Sequence, residues 1–281
     1  MGTYLGQNFL SDSKVRHYIA DKIGDLYKKL NCESLIEIGP GKGAITKLID
    51  QISDNFIIVD KDDKLIQNLE FRMQNGELNV KQIISGDVLE LDVAKILKEE
   101  KLKTEQTLIV GNLPYYITSP ILRKFFADGN PKFPGGIFML QDEVGQKIKS
   151  DAKKKSFLRW LLNYGYEVKY LKMVPAKAFS PAPKVKSCLV ELRIKNEKLR
   201  IERDKLIVFL DLYSGFSRKT LGAIQKILDK RFKMQDTKLK IDFGCKKTSP
   251  EGLYFFEIPE NLKKKRLEEL NWEDLEKIIN L

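Results

Sequence analysis

The densest chemistry in this chain lies in four consecutive residues, Asn112-Leu113-Pro114-Tyr115, followed by Tyr116. They come directly after an apolar run, Thr107-Leu108-Ile109-Val110-Gly111, whose pattern predicts a buried strand ended by turn residues. That puts them at the carboxyl end of a strand, where open α/β sheets bind ligands. The Asn112 side-chain oxygen and a backbone carbonyl before or at the proline can each accept one hydrogen of an exocyclic amino group. Pro114 fixes its own φ, has no N–H to compete, and keeps Leu113 out of the helical region. Tyr115 offers a flat face on which an extruded base can stack. Taken alone, such a string is more often a plain turn with a tyrosine on the sheet edge. Its neighbours shift that balance.

Upstream, Ser34-Leu35-Ile36-Glu37-Ile38 reads as a strand that runs into Gly39-Pro40-Gly41-Lys42-Gly43 and a helix over Ala44 to Ile52. Strand, glycine-rich turn and helix together open a nucleotide-binding βαβ unit, in which backbone approaches the ligand closely and the helix start offers free N–H groups. A second strand, Asn55 to Val59, ends at Asp60, 21 residues past Gly39, where a carboxylate can accept both hydroxyls of a ribose. The spacing is G-x-G-x-G, not the G-x-G-x-x-G of dinucleotide enzymes. A third strand, Val80 to Ile84, leads to Ser85-Gly86-Asp87-Val88; Asp87 suits an adenine amino group or an Asx turn equally well. Near the start, Gln7-Asn8 beside Phe9 and Leu10 reads as a surface turn or as a lid over a cofactor.

Several elements must hold these residues in place. Ser11 or Asp12 caps a helix over Ser13 to Leu30 with Val15, Ile19, Ile23 and Leu26 on one face. Further helices are expected from Asp63 to Met73, from Leu91 to Lys103, from Ser119-Pro120 with the proline first, and from Gln141 onward. Strands are expected at Ile137 to Leu140, Val168 to Val174 and Ser187 to Ile194. Lys153-Lys154-Lys155 with Arg159 and Trp160 is a basic and aromatic cluster, read as a solvated face or a phosphate-contacting loop. Phe179-Ser180-Pro181-Ala182-Pro183 is a stiffened loop headed by an aromatic. After a charged linker, Lys195 to Lys205, the pattern turns helical, over Leu206 to Phe232 and Leu262 to Leu281. A domain boundary is placed near residue 196.

Composition narrows the function classes. The 281 residues suffice for one large domain and a smaller one, and 42% hydrophobic content argues against disorder. No apolar run reaches the roughly 18 to 20 residues of a membrane span, and no secretory leader pattern is visible. Cys32, Cys188 and Cys245 form neither a disulfide framework nor a zinc pattern, which fits a reducing cytoplasm. His17, the single histidine, rules out His-based triads and His-rich metal sites and reads as a helix-surface residue. The net charge of +11 favours a polyanion, nucleic acid before an anionic membrane surface.

Six strings occur in one order: G-Q-N-F-L from Gly6, E-I-G-P-G-K-G-A-I-T from Glu37, G-D-V-L from Gly86, N-L-P-Y from Asn112, M-L-Q-D-E-V from Met139 and F-S-P-A-P-K-V-K-S from Phe179. Together they resemble the ribosomal RNA adenine N6-dimethyltransferases. F-S-R-K-T-L (Phe216 to Leu221) and R-L-E-E-L-N-W-E-D-L (Arg266 to Leu275) extend the likeness and favour the small-subunit, KsgA-type branch over the Erm relatives. The resemblance implies an α/β fold: a Rossmann-like class I S-adenosylmethionine-dependent methyltransferase domain over residues 1–195 and a small all-helical RNA-binding domain over 196–281. It implies dimethylation at N6 of two adjacent adenines near the 3′ end of small-subunit rRNA, the alternatives being an Erm-like large-subunit methyltransferase and a non-catalytic RNA-binding ribosome-assembly factor. The expected partner is that RNA in the immature small ribosomal subunit, and the expected enzyme is a cytoplasmic monomer with no metal and no membrane contact. By position, Gln7, Asn8 and Leu10 would border the cofactor, and Gly39 and Gly41 its methionine and ribose. Asp60, with Lys61 beside it, would take the ribose hydroxyls; Asp87, with Val88, would take the adenine amino group. Asn112, Leu113, Pro114 and Tyr115 would hold the target base, with Asn112 and the Pro114 carbonyl taking its amino hydrogens and Asn112 also bordering the cofactor, and Phe179 would stack on the base's other face. The chain departs from the family at Asp60 (usually Glu), Lys147 (usually Arg), Tyr116 (usually Asn or His) and Ser150 to Phe157, which replaces a P-G-x-x-Y-G-type loop.

Overall fold

The structure is a computed structural model that describes residues 8–127, 133–152, 156–195, 201–216, 218–233 and 256–280. Gln7, Lys153 to Lys155, residues 196–200 of the expected linker and Cys245 lie outside the described residues. The chain divides into two compact units, one of Met1–Ala152 with Leu158–Asn196 and the other of Lys153–Phe157 with Glu197–Leu281.

The first unit is built on nine strands: β1 (Phe9–Leu10), β2 (Ser34–Ile38), β3 (Phe56–Asp60), β4 (Gln82–Ser85), β5 (Thr107–Asn112), β6 (Gly135–Gln141), β7 (Tyr166–Val174), β8 (Phe179–Ser180) and β9 (Ser187–Ile194). Seven form one sheet in the order β4-β3-β2-β5-β6-β9-β7, and β1 pairs antiparallel with β8. Strands β4, β3, β2, β5 and β6 run parallel, while β9 is antiparallel to both β6 and β7. Both faces of the parallel part are covered, so β2 is buried along its whole length and reads as a nearly unbroken apolar run. The order reverses between β2 and β5, which opens a crevice past their carboxyl ends. Gly111 lets the two strands meet there, because a Cβ on it would lie 2.5 Å from the Ile38 carbonyl oxygen.

Helices α1 (Ser13–Lys29), α2 (Thr46–Ile49), α3 (Asp63–Gln74), α4 (Val93–Glu99), α5 (Thr118–Leu122), α6 (Asp142–Ile148) and α7 (Phe157–Gly165) belong with this sheet. Asp12 caps α1 by accepting the Val15 N–H at 3.0 Å, and Val15, Ile19, Ile23 and Leu26 are its buried face. The helix expected over Ala44 to Ile52 shrinks to α2, because Gly39, Gly41 and Gly43 all take positive φ and prolong the turn. The stretch expected over Leu91 to Lys103 shrinks to α4, capped by Asp92. Pro120 is the third residue of α5 rather than the first, still within the turn whose N–H groups have no helical partner. Arg159 and Trp160 are 7% and 0% exposed, so they are core residues and not a phosphate-contacting surface. Arg159 instead donates from Nε to the Lys149 carbonyl at 3.2 Å and from Nη2 to that of Ser150, tying α7 to the end of α6.

In the second unit the helix expected over Leu206 to Phe232 breaks at Gly215 into α8 (Arg203–Ser214) and α9 (Leu221–Lys233). The expected Leu262 to Leu281 helix is two single 3-10 turns, Glu260–Leu262 and Leu267–Glu269, followed by α10 (Trp272–Ile279). Asn271 and Asp274 close α10 with a reciprocal capping box. Phe209 stacks on Tyr213 at 4.4 Å and meets Phe256 edge-on at 5.3 Å.

Candidate active site

A cleft of about 280 Å³ opens at the carboxyl ends of β2, β3, β4 and β5. Asn8, Leu10, Gly39, Gly41, Asp60, Lys61, Asp87, Val88, Asn112, Leu113, Pro114, Tyr115 and Phe179 all line it. Every residue expected at the cofactor or the target base, apart from Gln7, therefore lines one cleft.

The glycine turn forms one wall. Gly39 and Gly41 sit at φ +67° and +59°, and a Cβ on Gly41 would come within 3.2 Å of the Phe9 ring. A side chain there would fill the cradle, so backbone alone faces the ligand space. The Gly39 N–H donates to the Val59 carbonyl at 2.9 Å, fixing the turn to β3. At the end of β3, Asp60 accepts the Asp62 N–H at 3.0 Å. Burial pushes its carboxyl up from the usual value, and the N–H groups of Asp62, Gly41 and Lys61 pull it partly back. Asp87 accepts the Leu89 N–H at 2.9 Å and lines the cleft as well, so the Asx turn and the wall position coexist.

The opposite wall is the segment after β5. The Leu113 N–H donates to the Met139 carbonyl at 3.0 Å, which anchors the segment to β6. The Pro114 carbonyl accepts from the Ile117 N–H at 3.1 Å and from Thr118 Oγ1 at 3.1 Å. Both of its lone pairs are engaged, so of the two carbonyls weighed from the sequence only that of Leu113 remains as an acceptor. The Tyr115 hydroxyl bonds Ser187 Oγ at 2.8 Å, and Ser187, fully buried, opens β9. That bond holds the ring from two strands away at the same end of the sheet. Phe179 is 5% exposed and is held by β8 against Leu10 of β1. Tyr116 is exposed and lies beneath Lys61 Nζ, 5.4 Å from its ring centroid, at the rim.

Glu37 went unremarked in the sequence. It lies within β2, 2% exposed, lines the cleft and accepts from Thr46 Oγ1 at 2.7 Å. Burial, opposed by the Thr46 hydrogen bond and aided by the Asp60 charge, pushes its carboxyl up to about 7. A charged residue inside an otherwise apolar parallel strand was the available signal. Ser187 carried none, because only the sheet brings it to Tyr115. Among the described residues no group of three or more His, Cys, Asp and Glu side chains could hold a metal, and no helix is long and apolar enough to cross a membrane.

Comparison with known proteins agrees with this geometry. The chain is 35% identical over 222 residues to the "Ribosomal RNA small subunit methyltransferase A" of Listeria innocua, covering 77% of this chain and 73% of that one. It is 32% identical over 253 residues to the protein of the same name from Oceanobacillus iheyensis, covering 89% and 83%. Among solved structures, a dimethyladenosine transferase from Plasmodium falciparum superposes with a TM-score of 0.68 at 21% identity, over 96% of this chain and 95% of that one. The 23S rRNA methyltransferase ErmE superposes with a TM-score of 0.59 at 24% identity, over 80% and 84%. These two show a shared fold, the Rossmann-like methyltransferase architecture expected above. The model of the ribosomal RNA adenine dimethylase family matches residues 2–249. With the Asn-Leu-Pro-Tyr segment and the glycine turn lining one cleft, the chain belongs to the ribosomal RNA adenine dimethylase family.

Proposed function

We propose that this rRNA adenine dimethyltransferase acts on small-subunit ribosomal RNA, as the names of its bacterial relatives say of those proteins, with S-adenosylmethionine in the cleft. The observation that carries the reading is the convergence of Asn112 to Tyr115 with the glycine turn and two strand-end carboxylates, Asp60 and Asp87, on one space. The residues fit the cofactor: a cradle without side chains suits close approach to its amino-acid and ribose parts, and carboxylates suit hydroxyl and amino donors. Bound there, S-adenosylmethionine supplies an electrophilic methyl group on a good leaving group.

The protein's share is to prepare the nucleophile. An adenine amino nitrogen is weak because its lone pair is delocalised into the ring. The Asn112 side-chain oxygen and the Leu113 carbonyl take its two hydrogens, hold them out of the ring plane and so concentrate the lone pair. Tyr115, fixed through Ser187, and Phe179 clamp the base faces and offset the few kcal/mol of unstacking. Rate comes from in-line placement and preorganised dipoles, with no side chain acting as a strong base.

The test is methylation of unmethylated small subunits, small-subunit RNA and large-subunit RNA by the purified protein, followed by nucleoside mass spectrometry. Dimethyladenosine in the small-subunit samples is expected. Label confined to large-subunit RNA would overturn the substrate assignment.

A further inference from the structure

A second cleft adjoins the first and has a different chemistry. Phe9, Leu10, Lys42 and Ala44 line both, and along β8 Phe179 lines the base cleft while the next residue, Ser180, lines the second. The second cleft is basic: Arg16 from α1, Lys42 from the glycine turn, Lys47 from α2 and Arg72 from α3 line it, and among the described residues no carboxylate does.

Two of these cations are committed within the fold. Arg72 bonds the Lys42 carbonyl from Nη1 at 3.2 Å and Glu77 from Nε at 3.3 Å, and Lys47 pairs with Asp50 at 3.2 Å and reaches the Glu77 carbonyl. The other two are not. Among the described residues neither Arg16 nor Lys42 has a carboxylate within ion-pair distance, and the Lys42 ammonium rests over the Phe9 ring, 4.7 Å from its centroid. Arg16 Nε is buried and has no hydrogen-bond partner among the described residues. An arginine with no carboxylate at ion-pair distance keeps its outer N–H donors for an anion such as phosphate.

We propose that this cleft holds the phosphodiester backbone of the RNA strand beside the target adenine, with Arg16 and Lys42 as its main contacts. The proposal rests on the RNA-methyltransferase reading above and adds to it the path of the strand. Because Phe179 and Ser180 are adjacent, a base held at the first cleft puts its neighbouring phosphates over the second. The contacts are to phosphate, so they position the strand without reading its sequence.

The experiment measures affinity for unmethylated small-subunit RNA as a function of salt for the full-length protein, Arg16→Gln, Lys42→Gln, the double variant and Arg16→Lys. Each lost phosphate contact on a single strand lowers the slope of log affinity against log salt by about 0.7, so the double variant is expected to lose about 1.4. Arg16→Lys should retain the unsubstituted slope, and in both Arg16 variants affinity for S-adenosylhomocysteine should stay the same, since Arg16 does not line the first cleft. Unchanged slopes in both single variants, or a loss of S-adenosylhomocysteine affinity in place of a slope change in Arg16→Gln, would overturn the proposal and leave the function standing. If only large-subunit RNA is methylated, the substrate assignment fails and the slopes are read on that RNA instead. No salt-dependent RNA binding by the unsubstituted protein would overturn both.

Discussion

Glu37 gives a quantitative prediction, because its carboxyl is buried in β2 and among the described residues its hydrogen-bond partner is the Thr46 hydroxyl at 2.7 Å. Burial lifts it from 4.5 to about 7, so the folded chain prefers the protonated acid. Between those two values the folded state binds more protons than the unfolded one, and stability must fall as pH rises, then level off above about 7. At about 1.36 kcal/mol per pKa unit the whole effect is about 3 kcal/mol, most of it between pH 5 and 8. Glu37→Gln keeps the size and an oxygen for Thr46 but cannot ionise. Urea unfolding at pH 5, 6, 7 and 8 should therefore give a stability difference, native minus variant, that drops by about 2 to 3 kcal/mol across the series. Trp160 fluorescence in a Trp272→Phe background confines the readout to the sheet-bearing unit, since Trp160 is fully buried there. Subtraction cancels the other titrating groups. A flat difference, or one that grows with pH, would refute the reasoning, the second because it would mean the carboxylate is charged and stabilised in the fold.

Asn112→Ala should reduce methyl transfer by at least about a hundredfold, in line with loss of a preorganised polar group, while S-adenosylhomocysteine binding measured by calorimetry changes little; near-normal turnover would sink the role. Tyr115→Ala should harm transfer more than Tyr115→Phe, and single-turnover rates in the reverse order would exclude stacking. The Tyr115 to Ser187 hydrogen bond predicts that Tyr115→Phe and Ser187→Ala are non-additive by about 1 kcal/mol in a double-mutant cycle on unfolding, whereas strict additivity would show no coupling. Gly111→Ala should destabilise the sheet-bearing unit by more than about 2 kcal/mol in thermal melts, since its Cβ would meet the Ile38 carbonyl oxygen at 2.5 Å; an unchanged melting temperature would mean the strands separate freely.

Local chemistry made much of this protein legible in advance. Continuous apolar runs bounded by turn residues are the mark of strands buried on both faces, and they located β2, β3, β5, β6 and β9 to within a residue or two. The glycine turn, the strand-end carboxylates and the Asn-Leu-Pro-Tyr segment were readable because each is a short string whose backbone demands are local. Helix lengths were less so: capping by Asp92 and the positive-φ glycines of the turn trimmed α4 and α2, and Gly215 split the C-terminal helix. Arg159 and Trp160 looked like surface from composition, yet carbonyl acceptors at Lys149 and Ser150 allow that arginine to be buried. Only tertiary structure could show that the Pro114 carbonyl is consumed by Ile117 and Thr118, that Ser187 fixes Tyr115 from 72 residues away, or that Arg16, Lys42, Lys47 and Arg72 share a cleft. Those facts depend on which strands become neighbours, and pairing across the sheet is decided by packing between segments far apart in the chain.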